Sequence, residues 1–257
     1  MTVHRIPVPY DRVPHGAVNA YLVDTDRTVL VDPPARHPDL DARLDGRTLD
    51  AVAVTHNHPD HVGGVAHYAR NHDATVWCRA GREDAFADAA GVAPDRTFRE
   101  GSRVAGVFTA LDTPGHAPEH VAFVMPEALV SGDLAVAEGS VAVAAPEGDL
   151  RAYLTSLRRV RARAPSRLLP GHGPPIEDPV ATCERLLRHR LDREARVLAA
   201  VRDGACTLDA VTDTAYEKDV SDVRELAVAT VEAHVEKLAA ERRVRWDGER
   251  VRPAADA

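Results

Sequence analysis

The chain has 257 residues, 44% hydrophobic and 28% charged, which excludes a disordered or low-complexity polymer and allows a sizeable core. The formal net charge of -8 identifies no substrate, because affinity for phosphates follows local charge rather than the total. That charge is uneven: residues 1–150 carry 12 Arg/Lys against 22 Asp/Glu, whereas residues 151–196 carry 11 Arg against 5 acids. The three cysteines, Cys78, Cys183 and Cys206, are scattered and odd in number, which fits a reducing interior better than a disulfide framework. With no stretch of signal-peptide or membrane-span character, the expected location is the cytoplasm.

In chain order, residues 18–23 and 28–32 read as strands flanking a hairpin turn at Asp24-Thr25-Asp26-Arg27. Residues 51–55 form a nearly continuous apolar strand, as expected for one buried on both faces. A helix is expected over Val65–Asn71, a strand over Thr75–Cys78 and a helix near Arg82–Ala90. Strands follow near 104–111, 120–125 and 128–131. Asp149 is placed to cap a helix over 149–164, in which Leu150, Leu154, Leu157 and Val160 recur at helical spacing. Leu168-Leu169 is a short strand that runs into Pro170-Gly171-His172-Gly173-Pro174.

Beyond residue 180 the pattern changes. A long helix over Val180–Val201 ends before Gly204, a short helix is expected at 207–211 and a third over Asp222–Arg242. Residues 244–252 then read as a hairpin around Asp247-Gly248. Three helices and a two-stranded wing predict a winged-helix-like domain over 183–257, attached to a catalytic domain over 1–182. Its third helix carries Glu232, Glu236 and Glu241, so a structural or dimerising role, including a homodimer, is favoured and sequence-specific DNA is not expected.

The chemistry concentrates in Thr55-His56-Asn57-His58-Pro59-Asp60-His61, which places three imidazoles and a carboxylate within six residues at a strand exit. Crowding of this kind is costly unless a cation holds it together. Gly115-His116, Gly132-Asp133 and Gly171-His172 supply further donors at other strand exits. His56 and His58, two apart in an extended segment, can clasp one ion together with His116. Asp60 and His61, where the chain turns into a helix, address a neighbouring position with His172, and Asp133 can bridge the two. Asp32 could orient a ligand imidazole, or act only as a turn residue. His120 is read as a supporting or structural residue.

THNHPDHVGG, DTPGHAPEH, SGD and PGHG, in this order over residues 15–180, resemble the ligand motifs of metallo-β-lactamase-fold hydrolases. The resemblance implies an α/β fold, an αββα sandwich, with a dinuclear centre that is usually zinc. Manganese is a second candidate, and a single iron ion is disfavoured by the complete second donor set. Asp133 stands where the best-known class B β-lactamases have Cys, which argues against antibiotic hydrolysis. Ala137-Glu138-Gly139, His189-Arg190, Arg193-Glu194 and the C-terminal extension are similar to the lactamase-beta-like endoribonuclease group. That similarity implies metal-dependent cleavage of single-stranded RNA. In every hydrolytic reading Asp60 and Asp133 are the candidate catalytic residues, with Asp60 orienting the attacking hydroxide, and His189 and Arg190 are candidates to hold a substrate phosphate or carboxylate. The alternative is a thioester or lactone hydrolase of the glyoxalase II-like type, acting on a small anionic ester or thioester. A third reading, a nucleic-acid-binding protein with a vestigial core, is opposed by the intact donor set.

Overall fold

The computed structural model of the protein describes residues 1–11 and 13–254. β1 (Thr2–Pro9), β2 (Ala17–Asp24) and β3 (Thr28–Val31) form an antiparallel meander. β4 (Ala51–Ala53), β5 (Thr75–Arg79) and β6 (Arg96–Phe98) continue the same sheet in parallel. α1 (Pro38–Leu44), α2 (Pro59–Val62), α3 (Val65–His72) and α4 (Glu83–Ala90) connect the parallel strands. A second sheet holds β7 (Arg103–Val104), β8 (Phe108–Asp112), β9 (Val121–Val124) and β10 (Leu129–Gly132), all antiparallel. After α5 (Leu150–Arg163) the chain returns as β11 (Leu168–Pro170), parallel to β10 at the sheet edge.

Side-chain alternation sorts the apolar residues into three layers. On β2 and β3, Leu22 and Leu30 turn outward to a cluster that includes Leu40, Leu44, Val65, Tyr68 and Phe86 of α1, α3 and α4. Their neighbours Tyr21, Val23, Val29 and Val31 turn inward, against Phe108, Val121, Phe123 and Val130 of the second sheet. Beyond that sheet, Leu111, Ala122, Leu129 and Leu168 pack on Leu154 and Leu157 of α5. The result is the expected αββα sandwich. Each fully buried Leu or Phe contributes about 1.5–3 kcal/mol relative to exposure.

The C-terminal elements are α6 (Pro179–Arg202), α7 (Leu208–Ala215), α8 (Arg224–Ala240) and the hairpin β12 (Val244–Trp246)–β13 (Val251–Pro253). α6 serves two cores: Cys183, Leu186 and Leu187 belong to the sandwich cluster, whereas Val197, Leu198 and Val201 pack with Val211, Val231, Val235 and Leu238. The boundary drawn at 182/183 therefore falls within a continuous helix.

Four elements were not expected: β1, α1, the single turn α2 and β6. β1 contains Pro7 and Pro9 and sits at a sheet edge, where a missing N–H is tolerated. α1 spans only 7 residues and begins with Pro38 behind a His37 cap, too short for a periodic signal. The single strand expected over 104–111 is instead the hairpin β7–β8, because Ala105 and Gly106 take φ of 51° and 77° and reverse the chain.

Candidate metal centre

Distant motifs meet because β3 and β4 of one sheet and β8, β10 and β11 of the other end at a shared edge of the sandwich, β8 and β10 running the same way with β9 reversed between them. Pro59 opens α2, so His58 keeps extended backbone (φ -62°, ψ 144°) while Asp60 and His61 lie in the first helical turn. Two glycines let the exits close up. A Cβ at Gly171 would collide with Asp133 Oδ1 and stand 2.7 Å from His61 Cε1. One at Gly132 (φ 46°) would stand 2.5 Å from Thr55 Oγ1 and 2.8 Å from His120 Nε2.

Hydrogen-bond partners assign the tautomers of the first group. Thr55 Oγ1 donates to Asp32 Oδ2 (2.8 Å), so it accepts from His56 Nδ1 (3.0 Å) and leaves His56 Nε2 with a free lone pair. His116 Nδ1 donates to the Ala142 carbonyl (2.7 Å) and His58 Nε2 to Glu147 Oε2 (3.2 Å). His116 Nε2 and His58 Nδ1 are then lone pairs as well. His58 Nδ1 lies 3.1 Å from His56 Nε2 and 3.0 Å from His116 Nε2. Three imidazole lone pairs facing one another without a shared proton repel. Tetrahedral coordination at ordinary Zn–N distances would space them about 3.3 Å apart.

The second group forms alongside. His61 Nδ1 donates to Asp32 Oδ2 (3.0 Å), and Thr55 N donates to Asp32 Oδ1 (2.7 Å), so this fully buried carboxylate grips the ring and the strand end together. His61 Nε2 is left without a hydrogen-bond partner, 3.5 Å from Asp133 Oδ1 and 3.8 Å from Asp60 Oδ2. His172 Nδ1 donates to the Ala17 carbonyl (3.1 Å), turning Nε2 toward Asp133 Oδ2 (3.2 Å) and Asp60 Oδ2 (3.5 Å). Asp133 Oδ2 also lies 3.5 Å from His116 Nε2, so one carboxylate oxygen stands between the two groups. His56/His58/His116 and Asp60/His61/His172 each present donor atoms within 4.8 Å of one another, as do His56/His61/Asp133. These are two potential divalent-metal sites.

The electrostatics suit cations. Burial, with His61 and His116 adding to it, holds His56 well below its ordinary value, leaving it neutral as a ligand must be. Burial also opposes charge on His61, but the Asp133 and Asp32 carboxylates outweigh it and raise this imidazole well above 6.5. Burial opposes ionisation of Asp133 too, yet His61 and the His172 hydrogen bond hold its carboxyl well below 3.8. The pocket thus rewards positive charge beside a fixed carboxylate.

Residues 13–172 match the sequence profile of the Metallo-beta-lactamase superfamily. The chain belongs to that superfamily. It is similar to the Beta-lactamase-like protein 2 homolog of Drosophila melanogaster, 30% identical over 77% of this chain and 71% of that protein. It is also similar to Thioesterase pkgB of Emericella nidulans, 32% identical over 74% of this chain and 55% of that protein. Among solved structures, the metallo-beta-lactamase family protein TTHA1429 from Thermus thermophilus aligns with TM-score 0.79 and 26% identity, covering 98% of each chain. Superfamily membership and the two donor groups together support a metal-dependent hydrolase.

All seven side chains proposed as metal donors meet at this centre, and Asp32 orients His61. His120 accepts from the Asp133 backbone N–H through Nε2 (3.0 Å), which assigns Nδ1–H to Thr113 Oγ1 (2.9 Å). It is a buried prop for the Asp133 turn. His189 and Arg190 lie elsewhere: among the described residues, neither shares a hydrogen bond or ion pair with the cluster. Arg190 is buried, donates to the Val141 carbonyl and lies 5.6 Å from the centre of the Tyr153 ring. Sequence reading missed Glu147 and the carbonyls of Ala142 and Ala17, the acceptors behind His58, His116 and His172. Backbone carbonyls leave no signature in side-chain identity. Of the basic run on α5, Arg159 pairs with Glu100 and Arg161 with Glu184, so those charges are already matched.

Proposed function

We propose that this superfamily member hydrolyses a small-molecule ester or thioester. In this reading His56, His58 and His116 hold one divalent cation, Asp60, His61 and His172 hold a second, and Asp133 is shared. The observation that carries it is the convergence of three imidazole nitrogens, His56 Nε2 and His116 Nε2 on His58 Nδ1, beside a carboxylate oxygen that faces both groups. The nitrogen and carboxylate donor set suits zinc, with manganese as the alternative. Bound cations would acidify a water and polarise the scissile carbonyl. The residues contribute position: Asp60 and Asp133 accept hydrogen bonds from the attacking water, and Asp32 keeps His61 from rotating. Glu147 and the Ala142 carbonyl fix the other rings.

The substrate class rests on two supports. One is the thioesterase name carried by a relative at 32% identity. The other is the weakness of a stacking surface for single-stranded RNA: Tyr21, Tyr68, Tyr153, Phe86, Phe98, Phe108 and Phe123 are fully buried, and the partly exposed Tyr10, Trp77, Tyr216 and Trp246 form no aromatic pair with one another among the described residues. Both favour the ester or thioester reading over the endoribonuclease one. We further read residues 183–257, whose last three lie outside the described residues, as a winged-helix-like accessory domain to a catalytic domain over 1–182. The separate cluster around Val197, Val211 and Val235 supports this division. Among the described residues no helix is long and apolar enough to cross a membrane. Three unpaired cysteines favour a reducing, cytoplasmic setting.

The test combines metal analysis with a panel of an S-acyl-N-acetylcysteamine thioester, a p-nitrophenyl ester, a lactone and an RNA oligonucleotide. Two equivalents of metal and thioester or ester turnover that is lost in His58→Ala are expected. RNA cleavage with no ester or thioester turnover would restore the nuclease reading. One iron with oxygen consumption would overturn hydrolysis altogether.

A further inference from the structure

A cleft of about 240 Å³ lies between the loop at Ser140–Ala142, α6 and α8. It touches the metal centre through one residue, since Ala142 lines the cleft while its carbonyl accepts from His116 Nδ1. Its lining has two characters. His189, Arg190 and Arg193 supply the polar side, and no Asp or Glu accompanies them. The wall is drawn from the Arg-rich stretch 151–196. Val223 and Leu226 supply the other side, 52% and 46% exposed; with Met1 and Leu191 they are the large apolar residues left exposed among the described residues.

The cationic side is uncompensated. Arg190 is committed to the Val141 carbonyl and the Tyr153 ring. Arg193 is not committed in that way. Its guanidinium lies 3.7 Å from the centre of the Tyr216 ring, its buried Nε has no hydrogen-bond partner, and among the described residues it forms no ion pair. Tyr216 stacking holds the guanidinium plane in place and leaves its edge donors free for a bidentate acceptor. Burial, followed by Arg190, Arg193 and Arg196, pushes His189 down to about 4, so the imidazole stands neutral beside this field. Unpaired cations held against apolar surface are costly, and a ligand carboxylate on Arg193 would offset that cost.

We propose that this cleft binds the part of the substrate remote from the scissile bond, and that this part is an apolar acyl group ending in a carboxylate. Arg193 receives the carboxylate, and Val223 and Leu226 cover the chain. The proposal rests on the hydrolase reading above, because it assigns the cleft to the substrate of that site.

Binding tests it separately from turnover. Titration of octanoate into the full-length, metal-loaded protein by calorimetry should show saturable binding, weakened about tenfold or more in Arg193→Met. Leu226→Ser, a change at an exposed position, should instead shrink the advantage of octanoate over butanoate. In parallel, the N-acetylcysteamine thioester of octanedioate should have a higher kcat/KM than that of octanoate, and Arg193→Met should collapse that ratio. Equal octanoate affinity in wild type and Arg193→Met, or no binding at all, overturns the proposal. Loss of binding in Arg193→Met with no thioester turnover by either protein supports the cleft and sinks the hydrolase reading alone.

Discussion

Two regions of this molecule bury histidine, and they treat it differently. At the metal centre each of the five donor rings has one nitrogen partnered by a backbone carbonyl, a hydroxyl or a carboxylate, and its other nitrogen faces a neighbouring ring or the Asp60 and Asp133 carboxylates. In the C-terminal bundle His234 is fully buried on α8 with neither ring nitrogen partnered, near Arg190, Arg193 and Lys237. The first arrangement is organised around incoming charge. The second holds a neutral ring among cations, with stability carried by Val197, Val231 and Leu238 around it. Burial of a titratable group is therefore no mark of function; the direction of its unused lone pairs is.

The contrast can be broken at four points. The largest stability effect is expected at Lys237, whose Nζ lies 2.7 Å from the buried Glu194 Oε2 and 2.9 Å from Glu241 Oε1. Arg243 stays 3.6 Å from Glu194 Oε1, so Lys237→Met should destabilise the protein by about 2–3 kcal/mol in urea unfolding, and adding Glu194→Leu should recover much of it. If Lys237→Met were neutral, the bundle would not depend on that pair. At the other end, Asp133→Asn should leave the fold intact by circular dichroism yet reduce kcat by roughly 10²–10³-fold, with metal content falling from two equivalents. Retained activity would show that the shared carboxylate is dispensable.

Asp32→Asn should act more mildly. It leaves the donors in place but weakens the grip on His61, so metal affinity measured by chelator competition should fall about 10–100-fold. The smallest effect concerns pH. Burial lowers His234 well below 6.5, and burial with His116 lowers His120 to about 3. Both pKa values are depressed on folding, so their contribution to stability is complete above 6.5 and is lost as pH falls below it. Each contributes a slope of about 1.4 kcal/mol per pH unit in that window. Urea midpoints of His234→Met between pH 6.5 and 5 should decline less steeply than wild type. Parallel curves would mean that His234 titrates alike in both states.

Much of the site was legible because its chemistry is written in side chains at strand exits. His56, His58, His61, His116, Asp133 and His172 each follow an apolar run or a glycine turn, and the order of those turns encodes their convergence. Asp32 was legible only as one of two readings, since a carboxylate after a strand serves turns and imidazoles equally well. The acceptors Ala142 and Ala17 were invisible for a different reason: any residue carries a carbonyl, and its aim depends on tertiary packing. Fold errors have equally local causes. Residues 104–111 carry a strand composition, but the positive φ of Ala105 and Gly106 turns the run into a hairpin. His189 and Arg190 are expected from the sequence as substrate contacts, whereas helical geometry sends Arg190 into the interior, against the Tyr153 ring.

The double membership of α6 has a consequence for how this chain can vary. Arg185 donates to the carbonyls of Val136, Ala137 and Gly139, Arg190 donates to Val141, and the next carbonyl, Ala142, holds His116. The helix is in effect a keyed shaft, with its arginines set at fixed angles to the loop that they clamp. Inserting one residue between Arg185 and Arg190 would turn the second key by about 100° and withdraw it from the loop. Length changes after Arg202 would leave the keying alone. A change of residue count along the shaft would therefore reach a histidine with which it shares no hydrogen bond.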